Sequence, residues 1–131
     1  MTTLIHKKYH AFVWLPMAGM ILFVVFYIIA AWQYPGGSYA FPNKTGFNFK
    51  DNYLCDLLDA QTINGLQNAA RTYARIALAI LCFSLMLLWV LLPHLFTVKN
   101  KGQIIMSVAG ILSMVITLFL ASEVHDVIIR I

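Results

Sequence analysis

Charge is what this chain has least of. Asp, Glu, Lys and Arg make up 11% of its 131 residues, against roughly 25% in soluble domains. With 61% hydrophobic residues and a mean hydropathy of +0.79, the excess apolar surface has to face lipid. The net charge of +4, from nine Lys and Arg against five Asp and Glu, therefore speaks to topology and anionic head groups. No basic run with interleaved aromatics is present, so nucleic acid is not an expected partner. Cysteine is equally scarce. Two thiols, Cys55 and Cys82, cannot make a disulfide framework. Cys82 lies inside an apolar run, so a bridge would need both at one depth; each is read as a small apolar packer. Neither an HExxH nor a CxxC pattern occurs.

Three hydrophobic runs fill most of the chain, and none contains Asp, Glu, Lys, Arg or His in its interior. That argues against a proton relay or ion path carried by this chain alone. The expected spans are 11–32, 74–96 and 103–122, each long enough for the ~30 Å hydrocarbon core at ~1.5 Å per residue. The first exceeds the apolar core of about 7–15 residues found in a secretory signal, so it reads as a retained helix. Trp14 and Trp32 sit near its ends as interfacial anchors, and Pro16 falls where a missing donor matters least. The fold class expected is an all-α polytopic transmembrane bundle with a structured extracytoplasmic loop at 33–73. Residues 123–131 read as the start of a further span or as an amphipathic end lying on the membrane.

The leader carries Lys7 and Lys8, with His6 and His10 at i, i+4. A metal pair would use that spacing, but no carboxylate or cysteine stands nearby and the headgroup-flank reading is preferred. In the loop, Tyr34-Pro35-Gly36-Gly37-Ser38 is a helix stop and turn cluster. Tyr39, Phe41, Phe47 and Phe49 follow, a density of aromatics that suggests a loop lying on the interface. Asn43-Lys44-Thr45 matches a glycosylation sequon, a pattern common by chance. Asp51 or Asn52 is positioned to cap a short helix. Leu54, Leu57 and Leu58 would share one of its faces, with Asp56 and Asp59 on the other. Asn64-Gly65 breaks it, and Asn68 is placed to cap the second span.

Positive residues beside span ends favour the cytoplasm. Lys7 and Lys8, with Lys99 and Lys101 in the short second connection, put the N terminus inside a bacterial inner or plasma membrane. Arg71 and Arg75 oppose this unless they pair with Asp56 or Asp59. Those four residues are accordingly expected to form structural ion pairs near the bilayer. The loop and the segment Glu123 to Asp126 then share the external face. A second reading of that face makes Asp56, Asp59, Glu123 and His125 ligands for a divalent metal that activates water against a lipid or ester. In it His125 and Asp126 are the candidate catalytic pair. The favoured reading needs no cofactor.

The stretch Asn52-Tyr53-Leu54-Cys55-Asp56-Leu57-Leu58 resembles a motif, Asn-x-x-Ser-Asp-Leu-Gly, that follows the first span in bacterial multi-span proteins related to the Frag/DRAM/Sfk group. Asp56 falls on the acidic position, Cys55 replaces the serine and Leu58 the glycine. His125-Asp126 before an apolar run also looks like the start of a following span in such proteins. The resemblance implies a helical bundle of more than three spans, with no assigned activity; related eukaryotic branches are associated with lipid remodelling or membrane trafficking. The function expected is a membrane scaffold or lipid-binding module, its partners the membrane lipids. Ser107, Gly110 and Ser113 form a small-residue stripe for homo-oligomer contact. The alternative is a membrane-embedded, metal-dependent hydrolase.

Overall fold

The computed structural model describes residues 12–96, 98 and 100–120. Three helices account for most of them: α1 (Trp14–Gln33), α2 (Ala70–Leu95) and α3 (Lys101–Leu120). All three are long and apolar enough to cross a membrane, the architecture of an integral membrane protein built as a helical bundle. α2 packs against both of the others.

Local chemistry sets each boundary. Pro16 lies buried in the first turn of α1, where its absent N–H is one the helix would leave unbonded anyway. At the other end Tyr34 turns extended, with φ −71° and ψ 121°. It precedes Pro35, whose ring disfavours the helical region for the residue before it. α2 starts under Asn68, whose Oδ1 accepts the Ala70 N–H at 3.0 Å. α3 starts with a reciprocal cap. Asn100 Oδ1 accepts from the Gly102 N–H at 3.2 Å, while the Asn100 N–H donates to Gln103 Oε1 at 3.2 Å.

Small residues let the helices close up. A Cβ at Gly19 would fall 1.8 Å from Ser84 Oγ, and one at Gly110 would fall 2.2 Å from the Trp89 ring. Neither contact leaves room for a side chain. Gly19, early in α1, meets the second half of α2, whereas Ala30 and Ala31, late in α1, join Ala70 and Ala74. The two helices are therefore antiparallel.

Pro93 lies inside the last turns of α2. It removes the N–H that would bond the Trp89 carbonyl. The Ser107 hydroxyl supplies the replacement, donating to that carbonyl at 2.6 Å. The small-residue stripe expected to meet another copy is thus taken up within the chain at Ser107 and Gly110. Ser113 stays exposed.

Between α1 and α2, residues 34–69 fold over the paired helix ends. A single turn of 3-10 helix (Leu54–Leu57) and two isolated antiparallel bridges, Gly36 to Thr45 and Gln61 to Gln67, are its regular elements. Gly37, at φ +89°, sits where the two halves of the loop cross; a Cβ there would lie 2.8 Å from the Asn64 nitrogen. Leu57 is fully buried among Ala30, Ala31, Tyr34, Ala70 and Ala74, with Tyr27, Phe47 and Leu58 packed around them. One leucine from the loop thereby fills the gap between two alanine faces. Leu54, expected on the same inward face, is instead 54% exposed.

Candidate functional site

Asp56 is the centre of the loop. It is only 5% exposed, and a carboxylate that far from water needs hydrogen bonds. One oxygen, Oδ2, accepts the Tyr53 N–H at 2.9 Å and the Asn52 Nδ2 at 3.1 Å. The side chain folds back over the start of its own 3-10 turn, satisfying a backbone donor that the turn leaves open. That is why it leaves the polar outer face on which the alternation of leucines and acids placed it. Asn52 Nδ2 also donates to the Gly37 carbonyl at 2.7 Å, tying Asp56 to the first half of the loop.

Asn68 makes the connection to α2. Its Nδ2 donates to the Asp56 and Asp59 carbonyls, each at 2.9 Å, while its Oδ1 caps Ala70. One buried amide therefore joins the 3-10 turn, the segment after it and the head of a spanning helix. On the α1 side the Tyr27 hydroxyl donates to the Leu54 carbonyl at 3.2 Å.

The ion pair expected of Asp56 with Arg71 or Arg75 is not among the contacts of its carboxylate, which go to Asn52 and Tyr53. Asp59 is half-buried and its backbone carbonyl is held by Asn68. Arg71 and Arg75 lie half-buried in the first turns of α2. The Arg75 Nε is buried with no hydrogen-bond acceptor among the described residues. An ion pair forms farther out, Lys44 to Asp51 at 3.7 Å, with Asn48 Nδ2 donating to Asp51 at 2.6 Å. Glu123, His125 and Asp126 lie outside the described residues, as do His6, His10, Lys7, Lys8 and Lys99. Among the described residues no group of three His, Cys, Asp or Glu is placed to hold a metal.

Cys55 and Cys82 are free thiols. Cys82 is buried in α2 as a packer, but Cys55 is exposed. Partial burial, then the negative charge of Asp56, pushes the Cys55 thiol above its ordinary range. The nucleophilic thiolate is correspondingly disfavoured. Tyr34 is raised as well, by burial first, and its hydroxyl donates to the Gly37 carbonyl at 3.3 Å.

No protein-family model, curated protein or solved structure matches this chain. Asn68 and Tyr27 are the organising residues that sequence reasoning undervalued. Asn68 was visible as a helix cap, though its two bonds back into the loop carried no local signal.

Proposed function

We propose that this protein is a membrane scaffold that holds lipid at the loop end of its bundle. The observation that carries this reading is Arg75. Its Nε is buried one turn inside a spanning helix and lacks an acceptor among the described residues. A cation near the edge of a bilayer requires an anionic or carbonyl partner. A phospholipid phosphate at headgroup level is the acceptor that position offers.

The loop supports the same reading. Asp56, the acid a hydrolytic site would draw on, is fixed by the turn it belongs to, and its bonds are those of an architectural group. In the motif resembling the Frag/DRAM/Sfk group, the matched residues Asn52, Asp56 and Leu57 do this structural work: two bond each other and the third plugs the helix gap. We extend the proposal to that kinship, and to an orientation with the N terminus cytoplasmic and the 34–69 loop outside.

Native mass spectrometry of the full chain in mild detergent tests the lipid claim. Phosphatidylglycerol should remain bound through dissociation of the micelle, and Arg75→Gln should lose most of it while keeping its helical circular dichroism. Equal retention by wild type and Arg75→Gln would overturn the assignment. So would a stoichiometric zinc or manganese that His125→Ala removes with the fold intact, because that outcome favours the metal-dependent hydrolase.

A further inference from the structure

The 3-10 turn does not stand above the bundle. The Tyr27 hydroxyl that holds the Leu54 carbonyl belongs to a residue six positions before the end of α1. At ~1.5 Å per residue that is about 9 Å below the helix terminus. At this level α1 shows Val24, Val25 and Ile28 to the outside. Leu57 is seated between Ala30, Ala31, Ala70 and Ala74, so the turn is lowered between the helix ends. On α2, Arg71 and Arg75 in the first turns are the last charges before the apolar run. The turn thus lies near exposed apolar side chains of α1 and the two cations that open α2.

Its outer edge is apolar. Tyr53 is 65% exposed, Leu54 is 54% exposed and Cys55 is exposed. Beside them Tyr39 meets Tyr53 edge-on, ring centroids 6.4 Å apart. A phenol ring has the amphipathic character favoured at a membrane boundary.

From this placement we infer that Tyr53, Leu54 and Cys55 form a lipid-contacting edge, sunk to the boundary between head groups and acyl chains of the bilayer that the three helices cross. Several backbone groups of the turn are satisfied within the chain, as a site beside the acyl chains favours. The Leu54 carbonyl is taken by Tyr27, the Tyr53 N–H by Asp56 and the Asp56 carbonyl by Asn68. The inference rests on the membrane-scaffold reading and names where its loop touches lipid.

Cys55 is its own reporter. In a Cys82→Ala chain reconstituted into phosphatidylcholine–phosphatidylglycerol vesicles, a bimane on Cys55 should emit blue-shifted. Phospholipids with a nitroxide near the top of the acyl chain should quench it several-fold more than aqueous iodide does. A bimane at Asn43→Cys, in a chain lacking both native thiols, should show the opposite preference. Iodide quenching at Cys55 equal to that at position 43 would put the edge in water and overturn the inference, even if phosphatidylglycerol is still retained in mass spectra. Protection from both quenchers would overturn it too, identifying protein, such as a second copy, as what covers the edge.

Discussion

The Ser107 hydroxyl donates at 2.6 Å to the Trp89 carbonyl, the acceptor that Pro93 leaves without its helical donor. Two helices are joined here by a defect in one of them. A proline near the end of a spanning helix frees a carbonyl four residues earlier, and water is not there to take it. The same serine belongs to the face that closes against Trp89, where Gly110 leaves no room for a Cβ. The bond and the close approach therefore support each other.

That relationship can be measured as a coupling. Ser107→Ala should lower the stability of the detergent-solubilised protein by about 1–3 kcal/mol, the cost of an unsatisfied buried acceptor. Pro93→Ala restores the missing N–H, and in that background Ser107→Ala should cost less than about 1 kcal/mol. Thermal or denaturant melts of the four proteins give the cycle directly. The same cost in both backgrounds would show that Ser107 does not answer Pro93.

The pH response of Cys55 follows from its surroundings. Burial and the Asp56 carboxylate raise its pKa, so alkylation of Cys55 in a Cys82→Ala chain should reach half its maximal rate above the ordinary thiol range. The sign for stability is the same. A raised thiol keeps its proton in the folded state, so its contribution is intact below the unfolded thiol's pKa. It is lost as pH rises through the folded value. A midpoint at or below that of the denatured chain would contradict the geometry.

Orientation yields to labelling in cells. In a chain without Cys55 and Cys82, a cysteine at Lys44 should react with an impermeant maleimide from outside. One at Lys101, the first residue of α3, should react only after permeabilisation. The reversed pattern would invert the topology.

How much of this was legible in the sequence depends on the range of the interaction. The three helices were, because runs of about twenty apolar residues have the length and composition of membrane-spanning helices, and helix ends followed from neighbours such as Pro35 and Asn68. The use of Asp56 was not. An acid at that spacing can pair with a distant arginine, bind a metal or fold back on its own turn, and only the burial imposed by Leu57 selects the third. Ser107 and Gly110 were read correctly as a close-approach face, but their partner could not be told apart from a second chain. A partial signal was present: Pro93 frees the Trp89 carbonyl, and Ser107 lies only 18 residues along the chain, across a short connection.

The central claim is that Asp56 fixes the fold of the loop that Asn68 and Tyr27 fasten to the bundle. Thermal unfolding of Asp56→Ala in detergent, with hydrogen exchange read segment by segment, tests it most directly. The Tyr53 N–H loses its acceptor and Asn52 Nδ2 loses one of its two, the other being the Gly37 carbonyl. Stability should therefore fall by at least about 2 kcal/mol, with protection lost across 37–68 first and the apolar run of α2 still protected. An unchanged melting temperature and unchanged exchange in the loop, together with loss of a bound metal or of ester hydrolysis, would contradict the claim and make Asp56 a chemical rather than a structural residue.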